Sequence, residues 1–257
     1  ANDHMMKFVW YYHNAIGRPK KKKIIARENG YHGIAVSSGS LTGLPIMHAG
    51  FDLPIANVLH TGSHHHYAYG HEGETEEEFA TRRAEELEQL ILAEDPDTVA
   101  AFVAEPVMGA GGAIIPPPTY FEKIQAVLKK YDVLMVADEV ITGFFRTGNC
   151  FACETYNIKP DILVIAKALS SAYMPISAVL INEKIYQAIR DFSNENTIFG
   201  TGFTYSGHPV TAAVALETLK IYEETNIGAH VRKISVTLQE RIKGLRDHPL
   251  VGEASGV

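Results

Sequence analysis

The chain is poor in several things. It has 257 residues but only two cysteines, Cys150 and Cys153, which excludes a disulfide framework and makes a reducing compartment the default expectation. No apolar run approaches the ~20 residues that span a bilayer. No charged-then-apolar leader precedes the first elements, so no secretory signal is read and a cytoplasmic protein is expected. Positive charge is not in excess: the formal net charge is -7, which argues against a general affinity for nucleic acid. Internal repeats and low-complexity linkers are absent.

What is present is a regular alternation. Met5, Val9 and Tyr12 recur at helical spacing until Gly17 and Pro19. Ile24 and Ile25 open a strand expected to end by Gly30. Residues 31–75, rich in Gly, His, Ser and Pro, are expected to be a long irregular segment, the kind that often carries function. Phe79, Leu87, Leu90 and Ile91 mark a helix with an acidic start, which suits its dipole. Three short apolar runs follow, at 99–104, 133–137 and 162–166, with a helix between the first two patterned by Tyr120, Ile124, Val127 and Leu128. A fourth run, 176–181, follows after a short turn and is expected to pair antiparallel. Two long helices end the chain: one begins near Pro209, and the other carries Val231, Ile234, Leu238, Ile242 and Leu245. The pattern predicts an α/β fold with a largely parallel sheet covered on both faces.

The three runs end in Glu105, Asp138 and Lys167. In a parallel sheet these would meet on one rim, where α/β folds bind ligands. A charged residue ending a strand and facing water is the ordinary reading of each alone. Three together, one a lysine, suit a binding rim equally well. A lysine amine can form a Schiff base with a carbonyl, and pyridoxal-phosphate enzymes pair such a lysine with an acid at the pyridine nitrogen. Asp138 could fill that role.

The segments AEPVMGAGGAIIPP, VADEVITGFFRTG and DILVIAKALSSAYMPISAVLI, in that order, with GYHG at 30–33 and FTYSGHP at 203–209, resemble the class III aminotransferases over essentially the whole chain. KALSSAYMPISAV, TGFTYSGHPV and ALETLKIYEE are most similar to the ω-amine:pyruvate subgroup. The resemblance implies the large domain of the fold type I pyridoxal-phosphate-dependent transferases, a three-layer sandwich with a mostly parallel sheet. Residues 1–225 would form the cofactor-binding domain, and residues 226–257 an interdomain helix and the start of a smaller domain. It implies transfer of an amino group from a primary amine or ω-amino acid to a keto acid such as pyruvate, in a homodimer with a shared active site. Lys167 would hold the pyridoxal 5'-phosphate as a Schiff base and shuttle the substrate proton. Asp138 would bind the pyridinium nitrogen, Val140 and Tyr31 would pack on the two ring faces, and Glu105 would orient Asp138. His32 would lie near the site, and Thr204 would reach the phosphate of the neighbouring subunit's cofactor.

The resemblance has departures. The family's Gly-Phe-Gly-Arg reads Gly143-Phe144-Phe145-Arg146 here, so a positive φ at the third position would strain Phe145. The opening Ala1-Asn2-Asp3 resembles the tail of the family's Gly-Ser-Glu-Ala-Asn segment, and the ending at Val257 precedes the family's C-terminal domain. The chain is therefore expected to be a central piece, binding cofactor weakly and turning over poorly by itself.

Other features are read blandly. Cys150-Phe151-Ala152-Cys153 has redox spacing but is read as two small apolar residues in a loop. His64, His65, His66 and His71 are read as a polar surface loop, with no metal site. Lys20 to Lys23 are read as a solvated strand entrance, and Gly109, Gly111 and Gly112 as a tight turn. Two other functions fit the lysine: a cofactor-free Schiff-base lyase, which leaves Asp138 and Tyr31 without a task, and a non-catalytic dimerisation scaffold. Among aminotransferases, ornithine-like or 4-aminobutyrate-like donors and related aminomutases are the alternatives.

Overall fold

A computed structural model describes residues 1–196 and 198–257. A six-stranded sheet runs through it in the order β2-β1-β3-β4-β5-β6. The strands are β1 (Lys23–Arg27), β2 (Val58–Thr61), β3 (Val99–Ala104), β4 (Leu134–Asp138), β5 (Ile162–Ile165) and β6 (Ala178–Ile181). The first five pair in parallel, and β6 pairs antiparallel to β5.

Alternation along β4 builds the three layers. Leu134 and Val136 join Met5, Val9 and Tyr12 of α1 (Asn2–Ala15) and Ile185 and Ile189 of α7 (Glu183–Glu195). Met135 and Ala137 join Leu87 and Ile91 of α4 (Glu76–Ala93) and Ile124 and Leu128 of α5 (Tyr120–Lys130). The central strands β3 and β4 are buried along their whole length between these two apolar layers, at about 1.5–3 kcal/mol for each large side chain buried. Helix α4 starts at a capping box between Thr75 and Glu78. The chain ends in α8 (Pro209–Glu224) and α9 (Ile227–Lys243).

The structure corrects several expectations. The segment 31–75 is not irregular throughout. It holds α2 (Val36–Leu41), a 3-10 turn at Pro45–Met47, edge strand β2 and the short α3 (His66–Tyr69). Strand β2 is only four residues long and half-covered, too short for a periodic signal. Helix α7 is an addition to the sequence reading. Its signal is the Asn182 cap, which accepts from the Ile185 amide, and two buried isoleucines one turn apart. Lys21 is not solvated: it is 2% exposed, and its Nζ donates to the carbonyls of Val99, Tyr131 and Asp132. The glycine turn is as tight as expected, since a Cβ on Gly111 would stand 2.2 Å from the Asn29 carbonyl oxygen.

Candidate active site

Strand parity places the first group. Asp138 shares the face of Leu134 and Val136, so it emerges at the end of β4 beside the start of α1. Its carboxylate is 3% exposed and accepts three hydrogen bonds. Oδ2 receives Asn2 Nδ2 and His32 Nδ1, each at 2.8 Å, and Oδ1 receives the Val140 amide at 3.1 Å. The next strand supplies Lys167, directly after β5 and its following residue, at the head of a short 3-10 turn, Lys167–Leu169. Its φ is 44°, in the left-handed region. A non-glycine residue held there costs on the order of 1–3 kcal/mol, and such residues cluster at functional sites.

Tyr31 and His32 follow β1 in a loop pinned by Thr42, whose Oγ1 accepts from the amides of His32 (2.9 Å) and Gly33 (3.2 Å). Tyr31, His32, Glu105, Asp138, Val140 and Lys167 line one cavity of about 320 Å³, together with Ala1, Asn2 and Asp3 at the N-terminus of α1. A larger cavity lies elsewhere, between the Pro116–Pro118 turn and the last residues of the chain; none of the six lines it.

The hydrogen bonds place Glu105 differently from expectation: among the described residues none joins it to Asp138. Its Oε1 accepts the Tyr31 amide and its Oε2 the Gly109 amide, each at 2.9 Å, so it fixes Tyr31 instead. The residues that orient Asp138 are His32 and Asn2. The resemblance of Ala1-Asn2-Asp3 to the family's Gly-Ser-Glu-Ala-Asn tail marks Asn2 but does not reveal its bond to Asp138, which depends on the packing of α1. Thr204, expected to serve a neighbouring subunit's cofactor and not this one, is exposed in the turn before α8, outside this cavity.

The residues read blandly have specific places. His64 is fully buried, which corrects its reading as surface. His66 Nε2 donates to the Glu74 carbonyl at 2.8 Å, and His65 pairs with Glu253 at 2.7 Å. Among the described residues, no group of three or more His, Cys, Asp or Glu side chains could hold a metal. Cys150 and Cys153 are free thiols, and Cys153 lies in the one-turn helix α6 (Ala152–Thr155), not in a loop. Burial, then Glu154 near Cys150 and Glu139 near Cys153, pushes both thiols up, away from the low values of reactive cysteines. Glu139 faces away from the cavity and accepts from Thr142 Oγ1 and the amides of Ala152 and Cys153.

The substituted turn is strained as expected. Phe144 and Phe145 have φ of 58° and 69°. Their rings pack near Tyr222 of α8, and Phe144 also meets Phe151.

Comparisons with known proteins agree with this geometry. The family model "Aminotransferase class-III" matches residues 1–256. The probable gamma-aminobutyrate transaminase 2, mitochondrial, of Oryza sativa subsp. indica is 60% identical over 257 residues, covering 100% of this chain and 52% of that protein. The gamma aminobutyrate transaminase 3, chloroplastic, of Solanum lycopersicum is 59% identical over 256 residues, covering 100% and 49%. A solved structure named "Transaminase with L-ala" superposes with a TM-score of 0.98 at 59% identity, covering 100% of this chain and 61% of that one. The omega transaminase from Pseudomonas jessenii in complex with PMP gives 0.98 at 56% identity, covering 100% and 56%. The chain spans about half the length of the curated relatives it matches.

The cytoplasmic expectation is overturned, because these plant relatives are named as mitochondrial or chloroplastic proteins. Scarcity of cysteine separates reducing from oxidising surroundings and does not distinguish one reducing compartment from another.

Proposed function

The chain belongs to the class III aminotransferases, a pyridoxal-phosphate-dependent family, and from that membership we propose that it serves amino-group transfer from a primary amine or ω-amino acid, 4-aminobutyrate among them, to a keto acid such as pyruvate. One observation carries the reading: Lys167 and Asp138, from the ends of neighbouring parallel strands, line the same cavity.

The residues fit the cofactor. Pyridoxal phosphate needs an amine to hold its aldehyde carbon, an acceptor for its ring N–H, and flat or apolar walls for its ring. Lys167, Asp138 and the pair Tyr31 and Val140 offer these around one space. Asp138 is already oriented by three donors, so little reorganisation accompanies binding. Bound there, pyridoxal phosphate supplies an electron sink for the charge left when the substrate carbon loses its proton.

The chain's own groups do the rest. In its unprotonated form, Lys167 Nζ accepts that proton and returns it, and its short turn after β5 fixes its position over the cavity. Tyr31, held by Glu105, closes one wall. The N-terminus of α1, at Asn2, presents free backbone amides suited to a phosphate.

The same reading includes a second copy of the chain. Ile198, Phe203, Tyr205 and Val210 are 81%, 68%, 80% and 53% exposed around Thr204, an apolar face that a partner would cover while taking Thr204 to its own cofactor phosphate. Residues 1–225 are read as the cofactor domain and 226–257 as the link to a smaller one.

The test is optical. The protein is mixed with pyridoxal phosphate, freed of excess, and its visible spectrum recorded before and after a primary amine or 4-aminobutyrate is added. A yellow band that fades with the amine, and that Lys167→Ala lacks, is the expected result. An equal band in Lys167→Ala overturns the role of Lys167, and a spectrum that saturating pyridoxal phosphate, left in place, changes no more than it changes Lys167→Ala overturns the reading of the cavity.

A further inference from the structure

One buried cation has no part in the chemistry above. Arg27, the last residue of β1, is 1% exposed, and among the described residues it has no carboxylate partner. Its Nη1 lies 2.7 Å from His64 Nδ1, and its Nη2 donates to the Glu105 carbonyl. The rings of Tyr120 and Phe121 flank the guanidinium at 5.8 and 5.6 Å.

These contacts fix the form of His64. A guanidinium can only donate, so Nδ1 must be the bare, accepting nitrogen. Nε2 stands 3.1 Å from the Ile114 carbonyl, which can only accept, so Nε2 carries the hydrogen. His64 is thereby held as a single neutral tautomer at 0% exposure. Protonation would set an N–H against the guanidinium. The other polar or charged groups nearby are the Tyr120 ring of α5 at 5.1 Å, the adjacent His65, and Glu105 at the end of β3. None compensates, because both oxygens of the Glu105 carboxylate are engaged by the Tyr31 and Gly109 amides. Burial first, then Arg27, drives the His64 pKa well below its usual value.

We propose that His64 is a positioning residue for the cavity wall: by accepting from Arg27 it keeps the guanidinium on the Glu105 carbonyl, and the Glu105 carboxylate in turn sets Tyr31 in place. The histidine-rich stretch of the sequence thus acts through a relay beneath the cavity, His64 to Arg27 to Glu105 to Tyr31. Only the last link, from Tyr31 to the cofactor, rests on the function proposed above.

The relay is tested without cofactor. Amide exchange at Tyr31 and Gly109 is compared in the wild-type chain, His64→Leu and His64→Gln. Gln can accept from Arg27 and donate to Ile114, whereas Leu can do neither. Exchange at both amides is expected to quicken about tenfold in His64→Leu, the effect of losing one hydrogen-bond link. The β4 and β5 amides should stay protected, and His64→Gln should restore the wild-type rates. Unchanged exchange in His64→Leu, or loss spread evenly over the sheet, overturns the proposal. If His64→Leu does not fold, nitrogen-15 shifts of His64 in the wild-type chain and exchange in His64→Gln decide instead: a hydrogen on Nδ1, or faster exchange at Tyr31 and Gly109 in His64→Gln, overturns the relay, and a hydrogen on Nε2 with wild-type exchange in His64→Gln upholds it. Pyridoxal phosphate retention in the same proteins separates the two readings. Relay behaviour with no cofactor retained by any variant sinks the function alone, and retained cofactor with unchanged exchange sinks the relay alone.

Discussion

Asn2 and Asp138, 136 positions apart, are joined by a hydrogen bond of 2.8 Å from Nδ2 to Oδ2. The same Nδ2 donates to the His32 carbonyl at 2.7 Å, and the His32 ring donates to the same carboxylate oxygen. Helix α1, the loop after β1 and strand β4 are therefore tied at one side chain.

Asn2→Ala is expected to lower stability by about 1.5–3 kcal/mol, the range for a hydrogen bond to a charged group. Asn2→Asp should cost more, because it sets a second carboxylate against Asp138. Urea unfolding of both variants measures this. An Asn2→Asp protein as stable as the wild type would show that the bond is not made.

Lys21 holds a second junction. Its ammonium closes on the Val99 carbonyl at 3.0 Å and on two carbonyls just past the end of α5, Tyr131 at 3.1 Å and Asp132 at 3.0 Å. Positive charge is favourable at a helix C-terminus. Lys21→Met keeps the stem and removes the donors, so about 3 kcal/mol or more is expected to be lost. Exposed Lys20→Met should change stability by less than about 0.5 kcal/mol. Equal urea midpoints for the two variants would contradict the buried junction.

Acid should weaken the fold through His13. Its Nε2 donates to the Ala100 carbonyl at 3.1 Å and its Nδ1 has no partner. Burial, the largest cause, pushes its pKa down to about 4. The unfolded chain, near the ordinary value of about 6.5, then binds the proton more readily than the fold does. The stabilisation is whole above pH 6.5 or so and is lost as pH falls towards 4. His60, also lowered by burial, acts with the same sign. Thermal midpoints measured from pH 7 down should fall less steeply in His13→Gln than in the wild type, and an unchanged slope would remove His13 as a cause.

Much of this is legible because strands β3, β4 and β5 are buried on both faces and read as unbroken apolar runs. Their ends point to Glu105, Asp138 and Lys167, and the short turn before β6 announces its antiparallel pairing. What escapes depends on distance. Asn2 meets Asp138 only after α1 has docked on the sheet, and no local pattern encodes that contact. Arg27 and His64 are charged or polar residues whose burial is made possible by partners from other elements, so composition alone puts His64 at the surface. Lys21 sits in a run of four lysines, where one buried member looks like its exposed neighbours. Glu105 is recognisable as a site residue, yet its partner is not, because a strand end fixes where a side chain starts and not which amide it reaches.

The turn at Phe144 and Phe145 offers a test in which the usual order of substitutions reverses. Phe145 has φ 69°, and its ring packs edge-on to Tyr222 at 6.3 Å. Both Phe145→Gly and Phe145→Ala delete that ring and lose the same contacts. Glycine alone escapes the cost of a left-handed backbone, about 1–2 kcal/mol per residue for L-amino acids. Alanine ordinarily stabilises relative to glycine by restricting the unfolded chain, by about 0.4–1 kcal/mol. Here the backbone cost in the folded state outweighs that gain, so Phe145→Gly should melt at a higher temperature than Phe145→Ala. If Phe145→Ala is the more stable of the two, the left-handed turn is not the conformation the protein adopts in solution.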